Sequence, residues 1–193
     1  IAYNNGLHGI YIYKGDGNIL RRDTVSRNGN SGILIYASTA NSILNCTADN
    51  NTAMGLHIYS ASEGNLITLS SIADNGCGVR IYNSAHNTIY NNDFTKNTIQ
   101  AYDNNGLNSW DSAAWDYTVG GNYWDDYSGM DGMNGPAQNL PGADGLGDTP
   151  YTNIEGNAMA QDGYPLMSKT TAVPDLDNMP PFALSFTPNT TAV

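Results

Sequence analysis

Aliphatic and polar positions alternate in short runs that return at a nearly fixed spacing. Gly9-Ile-Tyr-Ile-Tyr13 recurs as Gly32-Ile-Leu-Ile-Tyr36, Gly55-Leu-His-Ile-Tyr59 and Gly78-Val-Arg-Ile-Tyr82, each 23 residues after the last, and a degenerate copy, Thr98-Ile-Gln-Ala-Tyr102, follows after 20. A constant period of that size marks a repeat architecture. Within each copy the pairs Ile10/Ile12, Ile33/Ile35, Leu56/Ile58, Val79/Ile81 and Ile99/Ala101 alternate with Tyr11, Leu34, His57, Arg80 and Gln100. That is the period-2 pattern of a strand with one buried face. A second apolar column runs through Leu20, Ile43, Ile67 and Ile89, and a third through Val25, Ala48, Ile72 and Phe94, with Ala2 one period ahead of Val25. Three inward columns per period predict three short strands per coil.

Two asparagine columns separate these strands: Asn18, Asn41, Asn65 and Asn87, then Asn5, Asn28, Asn51, Asn75 and Asn97. Asparagine tolerates left-handed backbone, and its amide can bond the equivalent amide one coil away at the roughly 4.8 Å strand spacing. The pattern therefore predicts an all-β fold, a right-handed parallel β-helix of three sheets with about 23 residues per coil over residues 1–102. A leucine-rich repeat has a similar period. It is disfavoured because no 3.6-residue apolar stripe is present and the Asn- and Gly-dense connections are poor helix formers.

After Tyr102 the period stops. Residues 103–168 carry Trp110, Trp115 and Trp124 with many glycines and no sustained pattern, which suits a loop-rich aromatic cap over an exposed core mouth. From Lys169 to Val193 the chain turns to Thr and Pro, as an extended linker would. Phe182, Leu184 and Phe186 alternate within it, so a further domain begins there or a strand is donated to a sheet edge elsewhere. With Ile1 and Ala2 at the opposite end, these residues are the candidates for assembly through coil ends. Ile1 also opens within a repeat, which suggests excision from a longer chain.

Composition narrows the function classes. A net charge of −11 over 193 residues repels nucleic-acid phosphates and anionic membrane surfaces, and no apolar run approaches a membrane span. Nucleic-acid binding and membrane insertion are thus excluded as readings. Cys46 and Cys77 are 31 apart, eight residues out of phase with the repeat, so both are expected as free thiols.

Asn87-Thr-Ile-Tyr-Asn-Asn-Asp-Phe-Thr-Lys-Asn97 resembles the repeats of NosD-like and CASH-type β-helix proteins. Gly121-Asn-Tyr-Trp-Asp-Asp-Tyr127, Asp144-Gly-Leu-Gly-Asp-Thr-Pro-Tyr151 and Tyr164-Pro-Leu166 are similar to the closing region of NosD-like proteins, many of them archaeal surface proteins. The resemblance implies an extracellular or cell-envelope location. It also brings copper, since that family takes part in maturing a copper enzyme. The column His8, Ser31, Met54 and Cys77 puts two soft donors one coil apart, but its phase, two residues before an inward position, points into the coil, where Met and Cys are ordinary filling.

Other chemistry is weighed on the residues. Tyr11, Tyr13, Tyr36, His57, Tyr59, Arg80 and Tyr82 form an outward ladder, continued by Tyr102, on which sugar rings could stack. The alternative is that stacked tyrosines shield the sheet, contributing roughly 0.2–1 kcal/mol per pair. Asp125, Asp126, Asp131, Asp144 and Asp148 are calcium candidates, because that ion takes six to eight oxygens on flexible loops. The same Asp and Gly also serve turns. Catalytic residues are not assigned: the outward columns offer no carboxylate pair, and Asp23, Asp49, Asp74 and Asp93 fall near turns. Sequons mark Asn50 and Asn189 as glycosylation candidates, with Asn45 a weaker third.

The sequence thus points to a non-catalytic structural module of the cell surface or envelope, self-associating or packed against neighbouring envelope proteins as in a surface layer or sheath. No cofactor is required, with calcium the candidate. The alternatives are a polysaccharide-binding module or polysaccharide-active enzyme, and a copper-handling accessory protein.

Overall fold

The chain is a parallel β-solenoid of about four turns, seen in a computed structural model that describes residues 1–112, 120–135 and 137–170. No helix occurs among the described residues. The first sheet stacks Ala2–Tyr3, Thr24–Ser26, Thr47–Asp49, Ser71–Ala73, Asp93–Thr95 and Tyr123–Trp124. The second stacks Ile10–Tyr13, Ser31–Tyr36, Met54–Tyr59, Cys77–Tyr82, Ile99–Asp103 and Ile154–Glu155. Ile19–Arg21, Ser42–Leu44, Leu66–Thr68 and Thr88–Tyr90 make the third.

Register follows the apolar columns: Val25 pairs with Ala48, Ile43 with Ile67, Ile33 with Leu56, and Ala2 with Val25. Ile33, Ile35, Ile43, Ile58, Ile67, Ile72, Ile81 and Ile89 are fully enclosed. Each such side chain is worth about 2–3 kcal/mol relative to exposure, which explains why one short repeat cannot stand alone but a stack can.

The asparagine columns are ladders. Asn28 Nδ2 donates to Asn51 Oδ1 (2.9 Å), Asn51 to Asn75 (3.0 Å) and Asn75 to Asn97 (3.0 Å). A second ladder runs from Asn18 through Asn41, Asn65 and Asn87 to Asn108. A third column, Ser70, Asn92 and Asn122, was not singled out by the repeat pattern. Left-handed backbone falls one residue earlier than expected, at Asn4, Arg27, Asn50, Asp74 and Lys96. The turn that reverses the chain is made there, and it frees the following asparagine to point inward and bond along the axis.

Two further expectations are corrected. Ile99, Ala101 and Tyr102 pair with Cys77, Val79 and Arg80, so the fifth strand sits at a spacing of 22. Tyr102 therefore stands beyond Arg80 and not in the Tyr82 column. Gln100 is not outward. It is 6% exposed, accepts from Asn97 Nδ2 (2.9 Å) and donates to Asp125, closing the ladder against the cap.

The cap continues two of the sheets. Tyr123–Trp124 pairs with Asp93–Phe94, and Ile154–Glu155 with Ala101–Tyr102. Trp124 stacks between Phe94 and Tyr151, at 4.2 Å to each ring, and covers the core mouth. Trp115, Phe182, Leu184, Phe186 and Asn189 lie outside the described residues.

Candidate functional site

The outward side of the second sheet gathers most of the side chains with distinctive chemistry. Its layout depends on Gly32, Gly55 and Gly78. A Cβ at Gly32 would meet Asn51 Nδ2 at 2.7 Å and Val25 Cγ2 at 3.1 Å, and one at Gly55 would meet Ile72 Cγ2 at 2.9 Å. These glycines thus face the interior immediately before Ile33, Leu56 and Val79, which also face in. Two successive inward positions require a bend, and the bend shifts the phase of everything before it. The column His8, Ser31, Met54 and Cys77 is therefore outward, contrary to the phase argument from simple alternation.

Three observations agree on this. The His8 ring lies 5.8 Å from that of half-exposed Tyr11. Cys77 is buried yet separate from the core cluster, which does include Cys46. Its thiol senses the charges of Arg80 and Glu155. His8 and Tyr11, three apart across the glycine bend, are therefore neighbours.

Met54 and Cys77 are register partners on adjacent strands, and His57 and Arg80 are the next outward pair. His57 is stacked on Tyr59 (5.5 Å, 16°), and its buried Nε2 has no hydrogen-bond partner among the described residues. Burial, with a smaller push from Arg80, lowers its pKa to about 4, so the imidazole is neutral near pH 7. Burial pushes the Cys77 thiol up to about 12, against a smaller opposing pull from Arg80. Both cysteines are free.

The tyrosines form the expected column, with centroids 5.6 Å apart for Tyr13–Tyr36, 5.3 Å for Tyr36–Tyr59 and 5.8 Å for Tyr59–Tyr82. Their planes are tilted by 35°, 73° and 47°. Each ring thus spends part of its face on the next, unlike a flat stacking platform. Tyr11 joins from the side, 5.7 Å from Tyr13. Arg80 lies over both Tyr82 (5.3 Å) and Tyr102 (5.1 Å).

The five calcium candidates are not gathered. Asp125 accepts from Lys96 N and Gln100, and Asp126 from the Tyr151 hydroxyl and Asn153. Asp131 accepts from the Asp144 and Gly145 amides, Asp144 from Gly135 and Leu146, and Asp148 from Gly132 and Met133. Each carboxylate fixes a turn or ties two loop segments together. No group of three or more His, Cys, Asp or Glu suited to a metal ion occurs among the described residues. Asp23, Asp49 and Asp74 lie at coil corners, and Asp93 accepts from Thr170. Ile1 is 88% exposed with its amino group 3.9 Å from Asp23, while Ala2 is paired and packed on the core. Asn50 is exposed at a left-handed corner.

The profile of one protein family, described as "Periplasmic copper-binding protein (NosD)", matches residues 1–129. The chain belongs to the NosD family. The family's periplasmic description agrees with a cell-envelope location in the coarse sense. No curated protein and no solved structure matched the chain.

The donor set on the outward sheet can be tested against the family's ion. Copper(I) prefers thioether, thiolate and imidazole donors over carboxylates. A neutral imidazole with an unused Nε2, on the same strand as a thioether and one strand from a thiol, is the type of donor set a soft monovalent ion takes. It does not fit a hard divalent one.

Proposed function

We propose that the chain is a copper-handling protein of the cell envelope that holds Cu(I) as cargo on the outer side of its second sheet. Met54 Sδ, Cys77 Sγ and His57 Nε2 are the donors. The observation that carries this reading is the unpartnered, buried Nε2 of His57, next to two sulfur-bearing residues that share a register. Family membership supports the choice of ion. Cys77 gives up its proton on binding, so copper competes with protons there. The stacked Tyr59 ring holds the imidazole. The reading is non-catalytic: the protein carries the ion as cargo.

Cu(I) titration against a calibrated chelator under anaerobic conditions tests the proposal. One equivalent is expected to bind, with a loss of at least tenfold in affinity for Met54→Leu, a volume-conserving change, and more for Cys77→Ser. Failure to bind, or affinity unchanged in the Met54→Leu/Cys77→Ser double variant, overturns it.

A structural role in an envelope array is the second reading. It is favoured by amide ladders running the length of the coils, which give a stiff rod. Ordered arrays in electron micrographs of native envelopes would support it.

A further inference from the structure

Arg80 stands apart from the other cations of the coils. Its guanidinium lies against the rings of Tyr82 and Tyr102, at 5.3 and 5.1 Å, and its buried Nε finds no hydrogen-bond partner among the described residues. No carboxylate lies within ion-pair distance of it there. Glu155 is on the same face but is the register partner of Tyr102, one strand beyond. Tyr102 thus stands between Arg80 and Glu155 in the register of the sheet.

An arginine held against two rings is fixed in plane at little further entropic cost. Its N–H fork suits a planar, two-pronged carboxylate, which would reach the buried, unpartnered Nε as the enclosing side chains give way. Cation–π contacts leave the positive charge intact.

We propose that Arg80, clamped by Tyr82 and Tyr102, is a binding site for a carboxylate ligand on the outward sheet. The same chemistry is presented by a free small carboxylate and by a uronate residue of a saccharide. The second would also lay its ring along the tyrosine column. The site shares no residue with the copper donors, although Arg80 is the register partner of His57 and its charge acts on Cys77.

The test is a titration of the copper-free full chain, with chelator present, followed by NMR at the Arg80 Nε–H and the Tyr82 and Tyr102 ring protons. The probes are acetate, galacturonate trimer and, as a neutral control, maltotriose, all at constant ionic strength set by chloride. Saturable shifts with acetate and with the trimer, absent with maltotriose, are expected. Tighter binding of the trimer by tenfold or more identifies a saccharide-borne carboxylate, and equal binding identifies a free one. Arg80→Gln is expected to abolish saturation. Arg80→Lys, which keeps the charge and loses the fork, weakens it about tenfold, and both variants are compared at matched melting temperature. The proposal is overturned if acetate merely reproduces chloride, or if Arg80→Gln binds as the parent does.

Discussion

Inside the coils the buried polar side chains are neutral, chiefly amides passed from one turn to the next with some hydroxyls, whereas the cap adds buried carboxylates. Asn28, Asn51, Asn75 and Asn87 are each 2% exposed or less and bonded along the axis. In the cap, Asp103 and Asp162 are fully enclosed, and each accepts an indole N–H, from Trp110 (3.0 Å) and Trp124 (2.9 Å). Charge divides the same way. Residues 1–102 hold six basic and six acidic residues, while residues 103–193 hold one and twelve. A repeated ladder can be built only from a group that both donates and accepts, which amides do and carboxylates do not. A single closing layer needs no such symmetry. It can use a carboxylate to gather several N–H donors at one point. The amide ladders should therefore be indifferent to pH and sensitive to any break, and the buried carboxylates of the cap the reverse.

The largest effect is expected from breaking the ladder at its centre. Asn51→Ala removes the acceptor of Asn28 N (3.1 Å) and Nδ2 (2.9 Å) and the donor to Val25 O (3.2 Å). Two or three buried groups are left unpaired at about 1–3 kcal/mol each, so a loss of about 4 kcal/mol is expected in chemical denaturation. A loss below about 1 kcal/mol would mean that the ladder adds little to the apolar columns.

A smaller effect separates the cap. Burial raises the pKa of Asp162 to about 7, against the opposing pull of N–H donors from Asn122, Trp124 and Tyr164. Because the folded value lies above the ordinary one near 4, the folded state holds the proton longer than the unfolded chain. The contribution is therefore full below about pH 4 and is lost as pH rises through 7. Asp103 is raised by burial as well and acts in the same sense. The stability advantage of the parent over Asp162→Asn, followed by tryptophan fluorescence, should shrink between pH 4 and 7 and then level off. An advantage that grows over that interval would reverse the assignment.

The coils were legible in the sequence because every turn repeats the same contacts, so one column of residues describes a whole sheet. The cap was not. Asp162 meets Asn122, and the chain near Leu166 bridges Tyr123 and Leu146, across distances no period encodes. Two slips within the coils had signals that went unused. The ladder step from Asn75 to Asn97 is 22 residues, and the same step carries Arg80 to Tyr102. A glycine precedes Ile10, Ile33, Leu56 and Val79 in every copy of the repeat, because no Cβ fits there against the ladder amides, and the bend it allows turns the sulfur column outward. The sulfur column was thus placed on the wrong side of the sheet by a local backbone feature, although its residues had been named.

Copper K-edge X-ray absorption of the Cu(I)-loaded chain tests the outward sulfur column most directly. The account predicts a first shell of sulfur with one nitrogen, with the sulfur contribution reduced in Met54→Leu and again in Cys77→Ser. A shell of nitrogen and oxygen alone, or one unchanged by both substitutions, would contradict it.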